Sequence, residues 1–290
     1  MPSMNKVLEE LLTLLRLEDL GAGVYRGQSQ DLGWGRVYGG QVLGQAVMAA
    51  GATVPERRLH SLHSYFVRPG DPRLPIDYHV ELVRDGGSFS VRRVVARQSD
   101  EVIFNMSASF QSEEEGFDHQ SAMPEVAGPD GLLSELDRAK ANIDRIPEAI
   151  RARAVCERPI EMRVVNPDNA IPGQPQEPKR YTWIRAAGAL PDDQVVHQCL
   201  LAYASDWGLL STSLRPHGVS ILSRSVQTAS LDHAMWFHRD FRIDDWLLYV
   251  TDSPSAQNAR GFTRGEVYSR DGRLVASTTQ EGLIRKRRQE

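Results

Sequence analysis

The stretch Ser230–Arg239 places a serine, an aspartate and a histidine close together, followed by Met235-Trp236-Phe237. A serine can act as a nucleophile once a base activates it, and aspartate and histidine can move protons. Composition predicts one β-strand here, with Ser230 and Asp232 on one face and His233 on the other. Because both faces carry polar groups, we expect a buried strand beside a polar pocket. A core strand whose Asp and His bond to neighbouring backbone fits the pattern equally well.

The common catalytic motifs are missing from this sequence. Gly86-Gly87-Ser88-Phe89-Ser90 lacks the last glycine of a Gly-x-Ser-x-Gly elbow, Gly33–Tyr38 lacks the third glycine of a dinucleotide loop, and neither HExxH nor a Walker loop occurs. A serine-hydrolase triad, metal hydrolysis and phosphoryl transfer are therefore unsupported. What remains is a set of polar residues at the edges of predicted elements: Asp206, Ser230 and Gln280. Asp206, which precedes Trp207-Gly208, could equally cap a turn.

Composition excludes several classes of protein. The 290 residues carry a formal net charge of −4, and the basic run Arg285–Arg288 is interpreted as a solvated tail, so neither nucleic acid nor an anionic membrane is expected as a partner. No stretch is long and apolar enough to span a bilayer, and no signal-peptide core is recognisable. Cys156 and Cys199 are too sparse for a disulfide framework or a zinc site. The sequence predicts a soluble, cytoplasmic protein with no metal and no cofactor.

Periodicity predicts an α+β protein that opens with helices. Leucines between Val7 and Leu15 recur at helical spacing, and we expect that helix to end at Gly21 and Gly23. After an extended piece near Val24–Arg26, a small-residue helix is predicted from Gly39 to about Val54. Its small residues should let it lie tightly against a sheet. Four strands joined by tight turns follow, which indicates an antiparallel meander: Leu59–Arg68, Ile76–Arg84, Ser88–Gln98 and Val102–Phe110.

The same order recurs in the second half of the chain. A helix is predicted from Pro191 to Tyr203, with Pro191 in its first turn, and strands follow at Ser230–Arg239, Trp246–Asp252, Ala259–Ser269 and Leu274–Gln280. A long helix followed by an antiparallel meander is the order of a hot-dog unit. We therefore predict a double hot-dog fold, in which each of two tandem units has a long helix wrapped by an antiparallel sheet. The predicted division is residues 1–111, a linker at 112–178 with a short helix (Leu132–Lys140) and a strand (Ile160–Val165), and residues 179–290.

Several segments together resemble the type-II acyl-CoA thioesterases, a family with a double hot-dog fold. The resemblance covers nearly the whole chain and is carried by Tyr38–Ala46, His63–Asp71, Ser88–Val94, Ala202–Asp206, Ser230–Arg239, Ala259–Gly261 and Gln280–Gly282. It implies that Asp206, Ser230 and Gln280 hold the hydrolytic water, with Ser230 where some members have threonine. Peroxisomal members end in a targeting tripeptide, whereas this sequence ends Arg288-Gln289-Glu290, so a peroxisomal location is not expected.

The resemblance predicts hydrolysis of a fatty acyl-CoA to free fatty acid and CoA by direct attack of water, with Asp206 as general base or water orienter, helped by hydrogen bonds from Ser230 and Gln280. Backbone amides near Gly39 and Gly40, or those of the second helix, are candidates for the oxyanion site. Candidate CoA phosphate ligands are Arg68, Arg92, Arg93, Arg239 and Arg260. Exposed hot-dog sheet edges commonly drive association, so a homodimer or homotetramer is expected.

Three alternatives remain open from the sequence. A covalent route would use Ser230 as nucleophile, although no histidine stands in a recognisable elbow to activate it. A hot-dog enoyl-CoA hydratase would use an Asp–His pair such as Asp232 and His233, but adjacent strand residues point to opposite faces. The third alternative is an acyl-CoA-binding protein without catalytic activity.

Overall fold

The computed structural model describes residues 5–146, 148–168, 173–221, 223 and 225–287. The terminal tripeptide Arg288-Gln289-Glu290 and the last residue of the predicted basic tail lie outside this part of the chain, as do residues 169–172 of the predicted linker.

Five α-helices and two 3₁₀ helices occur among the described residues. The α-helices are α1 (Lys6–Leu15), α2 (Gly39–Ala52), α3 (Glu135–Ala141), α4 (Glu148–Ala154) and α5 (Gln194–Ser205), and the 3₁₀ helices are Ile143–Arg145 and Leu210–His217. Within the described ranges, no helix has both the length and the apolar character needed to cross a bilayer.

The first helix is shorter than predicted. α1 buries Leu8, Leu11 and Leu15 and ends there, and the chain then enters a strand at Glu18. Gly21 and Gly23 adopt φ of +83° and +76°, the left-handed region that glycine enters without strain, so they form a hairpin turn instead of ending the helix.

In the part of the chain that the structure describes, thirteen strands form a single antiparallel sheet. They are β1 (Glu18–Gly21), β2 (Val24–Gly27), β3 (Arg58–Phe66), β4 (Ile76–Asp85), β5 (Phe89–Gln98), β6 (Glu101–Gln111), β7 (Ile160–Val164), β8 (Lys179–Ala186), β9 (Val226–Ser230), β10 (Asp232–Phe237), β11 (Leu247–Gln257), β12 (Arg260–Ser269) and β13 (Leu274–Lys286). The four predicted strands of the first half are all confirmed, with ends that differ by one or two residues.

The two halves of the sheet have the same topology. Outward from the centre, the first half runs β3-β6-β5-β4-β2-β1 and the second runs β10-β13-β12-β11-β8-β7, with β9 extending along β13. The halves join where β3 pairs with β10, so that Ser64 lies opposite His233. One long helix precedes each meander, α2 in the first unit (α2 with β1–β6) and α5 in the second (α5 with β7–β13). The predicted double hot-dog architecture is confirmed, whereas the division at residues 111 and 179 stays a prediction.

The small residues of α2 make a helix–helix contact that was not predicted. A Cβ added to Gly40 would lie 2.3 Å from the carbonyl oxygen of Tyr203, and one added to Gly44 would lie 3.3 Å from that of Cys199. Both acceptors belong to α5, so these glycines let the two long helices approach each other closely, in addition to covering the sheet.

The stretch that opens the second meander is not one continuous strand. It divides into β9 and β10 at Leu231, and the four-residue step from Ser230 to Ala234 lies opposite the three-residue step from Gly282 to Thr279 on β13. One extra residue in a strand is a β-bulge, which reverses the alternation of side chains beyond it. The prediction that Ser230 and His233 lie on opposite faces is therefore wrong.

The middle of the chain contains more structure than predicted. The short helix and strand of the linker are confirmed as α3 and β7, while α4, β8 and the 3₁₀ helix Leu210–His217 were not predicted. α5 starts at Gln194 with Asp193 as its N-cap, whose carboxylate accepts from the amide of Val195 at 3.0 Å. Pro191 consequently precedes the helix rather than occupying its first turn.

Candidate active site

Asp206, Ser230 and Gln280 meet at one point, although they lie on three different elements. Asp206 is the C-cap of α5, Ser230 ends β9 and Gln280 lies within β13. Ser230 Oγ donates to Asp206 Oδ1 at 3.1 Å. The amide nitrogen of Gln280 donates to the same carboxylate oxygen at 3.1 Å and to Ser230 Oγ at 2.6 Å. The three side chains form a closed triangle of hydrogen bonds around Asp206 Oδ1.

The sheet positions Gln280 more deeply than the sequence suggested. β13 continues to Lys286, so Gln280 stands in the middle of the strand instead of at its predicted end, and it is fully buried. Thr278 shares its face, as the strand alternation predicts, and its hydroxyl lies 2.8 Å from that of Tyr249. Gln280 therefore supports Asp206 and Ser230 from behind, while those two half-buried residues face the cavity.

His233 lies behind Gln280 and extends the polar network into the core. Its Nδ1 is 3.0 Å from Gln280 Oε1, and its Nε2 is 3.0 Å from the hydroxyl of Ser205, the last residue of α5. Complete burial lowers the pKa of His233, which favours the neutral imidazole. The sequence contains the histidine within Ser-Leu-Asp-His, but nothing in that pattern shows the bulge that turns it toward Gln280.

The N-terminus of α2 faces the carboxylate of Asp206. A Cβ on Gly39 would lie 2.7 Å from Asp206 Oδ2 and 3.0 Å from the ring of Phe66, so glycine is what lets the helix start this close. The first amides of a helix have no carbonyl four residues earlier to bond to, and they carry the positive end of the helix dipole. The second unit thus supplies the polar triangle, and the first unit supplies a helix N-terminus beside it.

A cavity of about 960 Å³ opens in front of Asp206 and Ser230. Apolar side chains from both units line part of it: Val37, Val42, Phe66, Ile103, Phe104, Met162 and Ile184. The linker contributes Ile150 of α4. This shape and lining suit a long apolar group whose polar end reaches Asp206. Among the described residues, no cluster of three or more His, Cys, Asp or Glu side chains could hold a metal ion.

Aromatic rings and arginines pack together next to the catalytic candidates. Trp207 follows Asp206, and its ring lies 5.6 Å from that of Tyr38 and 6.3 Å from that of Trp34. The guanidinium of Arg158 stacks 4.2 Å from the centre of Trp207, and that of Arg153 stacks 4.7 Å from the centre of Trp34. Both arginines line the cavity and hold their charge over an aromatic face. They lie in the segment that was predicted to be a linker, so they were missed.

Of the five arginines predicted to bind phosphate, Arg68 alone lines the cavity. Its side chain is half exposed and lies 3.0 Å from Glu101. Arg92 is corrected to a structural role, because its side chain is 3% exposed and donates to Thr53 Oγ1 at 2.8 Å and to Asp85 at 2.8 Å.

The remaining three predicted arginines point elsewhere and are not part of the cavity lining. Arg93 lies 3.9 Å from Glu81, Arg260 lies 2.9 Å from Glu281, and Arg239 pairs with Asp118. The structure does not bring these three to the site. Arg36, which lines the cavity and is exposed, was not predicted, because nothing in the sequence around it distinguishes it from other surface arginines.

Comparisons with known proteins agree along nearly the whole chain. A family model described as acyl-CoA thioesterase matches residues 149–283, and one described as acyl-CoA thioesterase N-terminal domain matches residues 29–111. Acyl-CoA thioesterase 2 from Haemophilus influenzae is 41% identical over 283 residues, 97% of this chain and 99% of that protein.

Solved structures show the same similarity. The acyl-CoA thioesterase II TesB2 from Mycobacterium marinum aligns with a TM-score of 0.79 at 41% identity, covering 96% of this chain and 98% of its own. A protein with a hot-dog fold from Alicyclobacillus acidocaldarius aligns with a TM-score of 0.75 at 20% identity, covering 96% and 99%, which is a likeness of fold.

Proposed function

Since the chain belongs to the acyl-CoA thioesterase family and hydrolyses acyl-CoA thioesters, we propose that water attacks the thioester directly, activated by Asp206 with Ser230 and Gln280. The observation that carries this proposal is the closed triangle of hydrogen bonds on Asp206 Oδ1. Because both partners donate to Oδ1, the other carboxylate oxygen is left to accept a proton from water. That oxygen is the one that faces the start of α2.

In the proposed reaction, the proton that Asp206 takes from water is later given to the sulfur of CoA. Asp206 Oδ2 accepts a proton from water as the water oxygen bonds to the thioester carbon. The carbonyl oxygen becomes negative and accepts hydrogen bonds from amides at the start of α2, near Gly39 and Gly40. The tetrahedral intermediate then expels the thiolate of CoA, and the proton on Asp206 passes to that sulfur. Free fatty acid and CoA leave, and the carboxylate is restored.

Two alternatives are disfavoured by contacts around the site. A covalent route in which histidine activates Ser230 is disfavoured, since both nitrogens of His233 lie against Gln280 and Ser205. A hydratase would need Asp232 and His233 to act together. Asp232 instead accepts from the amide of Glu281 at 2.6 Å, and His233 is fully buried away from the cavity.

The test is a thiol-release assay on an acyl-CoA panel beside an absorbance assay for enoyl-CoA hydration, with mass spectrometry of the enzyme during turnover. We expect thiol release, no hydration, and no acyl group on Ser230. An acylated Ser230 that accumulates and decays at the turnover rate would replace the water mechanism by the covalent one. Hydration of enoyl-CoA at a rate comparable to thiol release would favour the hydratase.

For CoA recognition we propose that four of the six described arginines lining the cavity bind its phosphates: Arg36, Arg68, Arg153 and Arg158. Their support is location, since each lines the cavity, and the aromatic contacts that hold the last two in place. The other two arginines, Arg180 and Arg215, both pair with Asp168. The apolar lining would then receive the acyl chain.

Comparing a substrate that carries the CoA phosphates with one that lacks them separates phosphate binding from the hydrolytic step. Arg158→Gln should raise KM for acyl-CoA about tenfold, the effect of losing one charge-assisted contact, and leave hydrolysis of the matching S-acyl-N-acetylcysteamine unchanged. Arg93→Gln is the matched control, because Arg93 pairs with Glu81 away from the cavity. Equal losses on both substrates would show that Arg158 acts on the fold and not on the phosphates.

We also propose that the protein is cytoplasmic and forms a homodimer or homotetramer. Exposed apolar side chains on strands of the first unit support association: Tyr65, Leu82, Val83 and Phe89. Light scattering coupled to size-exclusion chromatography measures the mass directly, and a monomer at micromolar concentration would contradict the second half of the proposal. Cell fractionation tests the first half.

A further inference from the structure

His233 is a buried histidine that the water mechanism does not use. It is wholly enclosed, lies on β10 beyond the bulge at Leu231, and does not line the cavity. Both ring nitrogens nevertheless have polar partners at 3.0 Å, Gln280 on one side and Ser205 on the other. Such a group either completes the core or holds Gln280 in a particular orientation.

The charge on Asp206 decides which way the Gln280 amide faces. Its nitrogen lies 3.1 Å from Asp206 Oδ1 and 2.6 Å from Ser230 Oγ. The reversed amide would place its oxygen against a carboxylate oxygen, two acceptors with no hydrogen between them. Gln280 Oε1 therefore faces His233, and a bond forms there only if Nδ1 carries the hydrogen.

The tautomer of His233 follows from that orientation. With the hydrogen on Nδ1, Nε2 of the neutral ring is an acceptor, and the Ser205 hydroxyl can donate to it. Ser205 sits at the end of α5, next to Asp206. The ring thus connects the helix that carries the carboxylate to the strand that carries the amide.

We propose that His233 is a positioning residue for hydrolysis, whose Nδ1–H holds Gln280 so that both amide hydrogens point at Asp206 and Ser230. This rests on the proposed role of that trio. Without the donor, Gln280 Oε1 is a buried acceptor with no partner, and the amide gains by turning away from the carboxylate. Asp206 and Ser230 would then keep their places while both hydrogen bonds from Gln280 are lost.

Substitutions of His233 can keep or remove the hydrogen that Nδ1 donates to Gln280 Oε1. In His233→Asn the amide nitrogen is two bonds from Cβ, as Nδ1 is, so the donor to Gln280 is kept. In His233→Gln the nitrogen is three bonds from Cβ, as Nε2 is, so it reaches toward Ser205 and leaves Gln280 without a donor. His233→Leu removes both bonds.

The expected result is a loss in kcat that depends on the donor. We expect His233→Leu and His233→Gln to lower kcat about 10- to 100-fold with KM within about threefold, and His233→Asn to remain within about fivefold of wild type. The matched control is His197→Leu, a second buried histidine of the same unit, near the opposite end of α5, where Nδ1 accepts from the amide of Ile243 at 3.2 Å. It should lower the melting temperature and leave kcat within about twofold.

A double-mutant cycle with Gln280→Ala separates this inference from the mechanism on which it rests. If His233 acts through Gln280, His233→Leu should slow the Gln280→Ala enzyme by less than about twofold. A further tenfold loss in that background, or equal kcat for folded Asn and Gln variants of His233, would overturn the positioning role while leaving the trio intact. A Gln280→Ala enzyme with wild-type kcat would instead overturn the proposed function. If His233→Leu does not fold, the cycle is run with His233→Gln.

Discussion

Replacing Asp206 with Asn removes the proposed base while keeping the size and the packing of the side chain. Oδ1 accepts two of the three hydrogen bonds of the triangle, one from Ser230 and one from Gln280, each at 3.1 Å. Asparagine keeps an oxygen there and puts an amide nitrogen where Oδ2 faces the start of α2. The substitution therefore preserves shape and both acceptor contacts, and it removes the one atom that can accept the proton from water.

The expected magnitudes for activity and stability differ widely. A positioned general base contributes about 100- to 10,000-fold in rate, which corresponds to about 3–5 kcal/mol of barrier at 1.36 kcal/mol per tenfold. The two hydrogen bonds change from charged to neutral acceptors, a loss of about 1 kcal/mol each. Asp206→Asn should consequently lower kcat at least about 100-fold, while the folded protein remains dominant and KM stays within about threefold.

Steady-state thiol release and a thermal melt test this together. The control is Asp244→Asn, because Asp244 accepts from the amide of Leu190 at 2.8 Å and pairs with Arg242 in the same unit, away from the cavity. It should show a comparable stability loss at wild-type kcat. If folded Asp206→Asn kept kcat within about tenfold of wild type, Asp206 would not be the base.

Three further outcomes follow from other contacts. Gly39→Ala puts a Cβ 2.7 Å from Asp206 Oδ2, so kcat should fall at least about tenfold with little change in melting temperature; an unchanged kcat would mean that this oxygen is not used. Burial raises the pKa of the Cys199 thiol and keeps it protonated, so an alkylating reagent should modify only exposed Cys156 and leave kcat within about twofold, whereas inactivation would implicate a thiol. Burial raises the pKa of Tyr203 from 10.0 to about 12, so its contribution to stability is complete below pH 10 and lost as the pH rises toward 12. Tyr203→Phe should make the melting temperature fall less steeply as the pH rises from 10 to 12, because the variant no longer releases this one proton on unfolding. An unaltered slope would contradict the assignment.

Local periodicity predicted the elements well, because the repeated helix-and-meander order is written in apolar spacing. The strands of the first half were placed to within one or two residues, and α2 and α5 were recognised. β8 was missed, since the Pro-rich segment before it resembles a linker while its burial depends on pairing with β11. α4 was missed for the same reason, since it lies in the predicted linker and its contribution to the cavity depends on long-range contacts.

The site was predicted in part, and the failures share a physical cause. Family resemblance brought Asp206, Ser230 and Gln280 forward, and the structure places them in hydrogen-bond contact. Alternation along a regular strand could not place His233, because a one-residue bulge reverses the faces. Nor does residue type separate Arg92, which is buried against Thr53 and Asp85, from an arginine that faces the cavity. These distinctions depend on tertiary contacts that no local pattern records.

The two long helices end in different residues, and this difference places the proposed base in the second unit. α5 ends on Asp206, whereas α2 ends on Thr53, whose hydroxyl donates to Ala50 O at 2.8 Å and accepts from Arg92. The end of α2 therefore offers no carboxylate to a water, and its polar group is already bonded to buried arginine. What the first unit contributes is the other end of α2, where Gly39 allows the helix to begin against Asp206. Each unit thus holds one half of the proposed site: the proposed base and its hydrogen-bond partners come from the second, and the helix N-terminus comes from the first. The proposed catalytic centre therefore lies at the contact between the two units, so neither unit alone carries all of its residues.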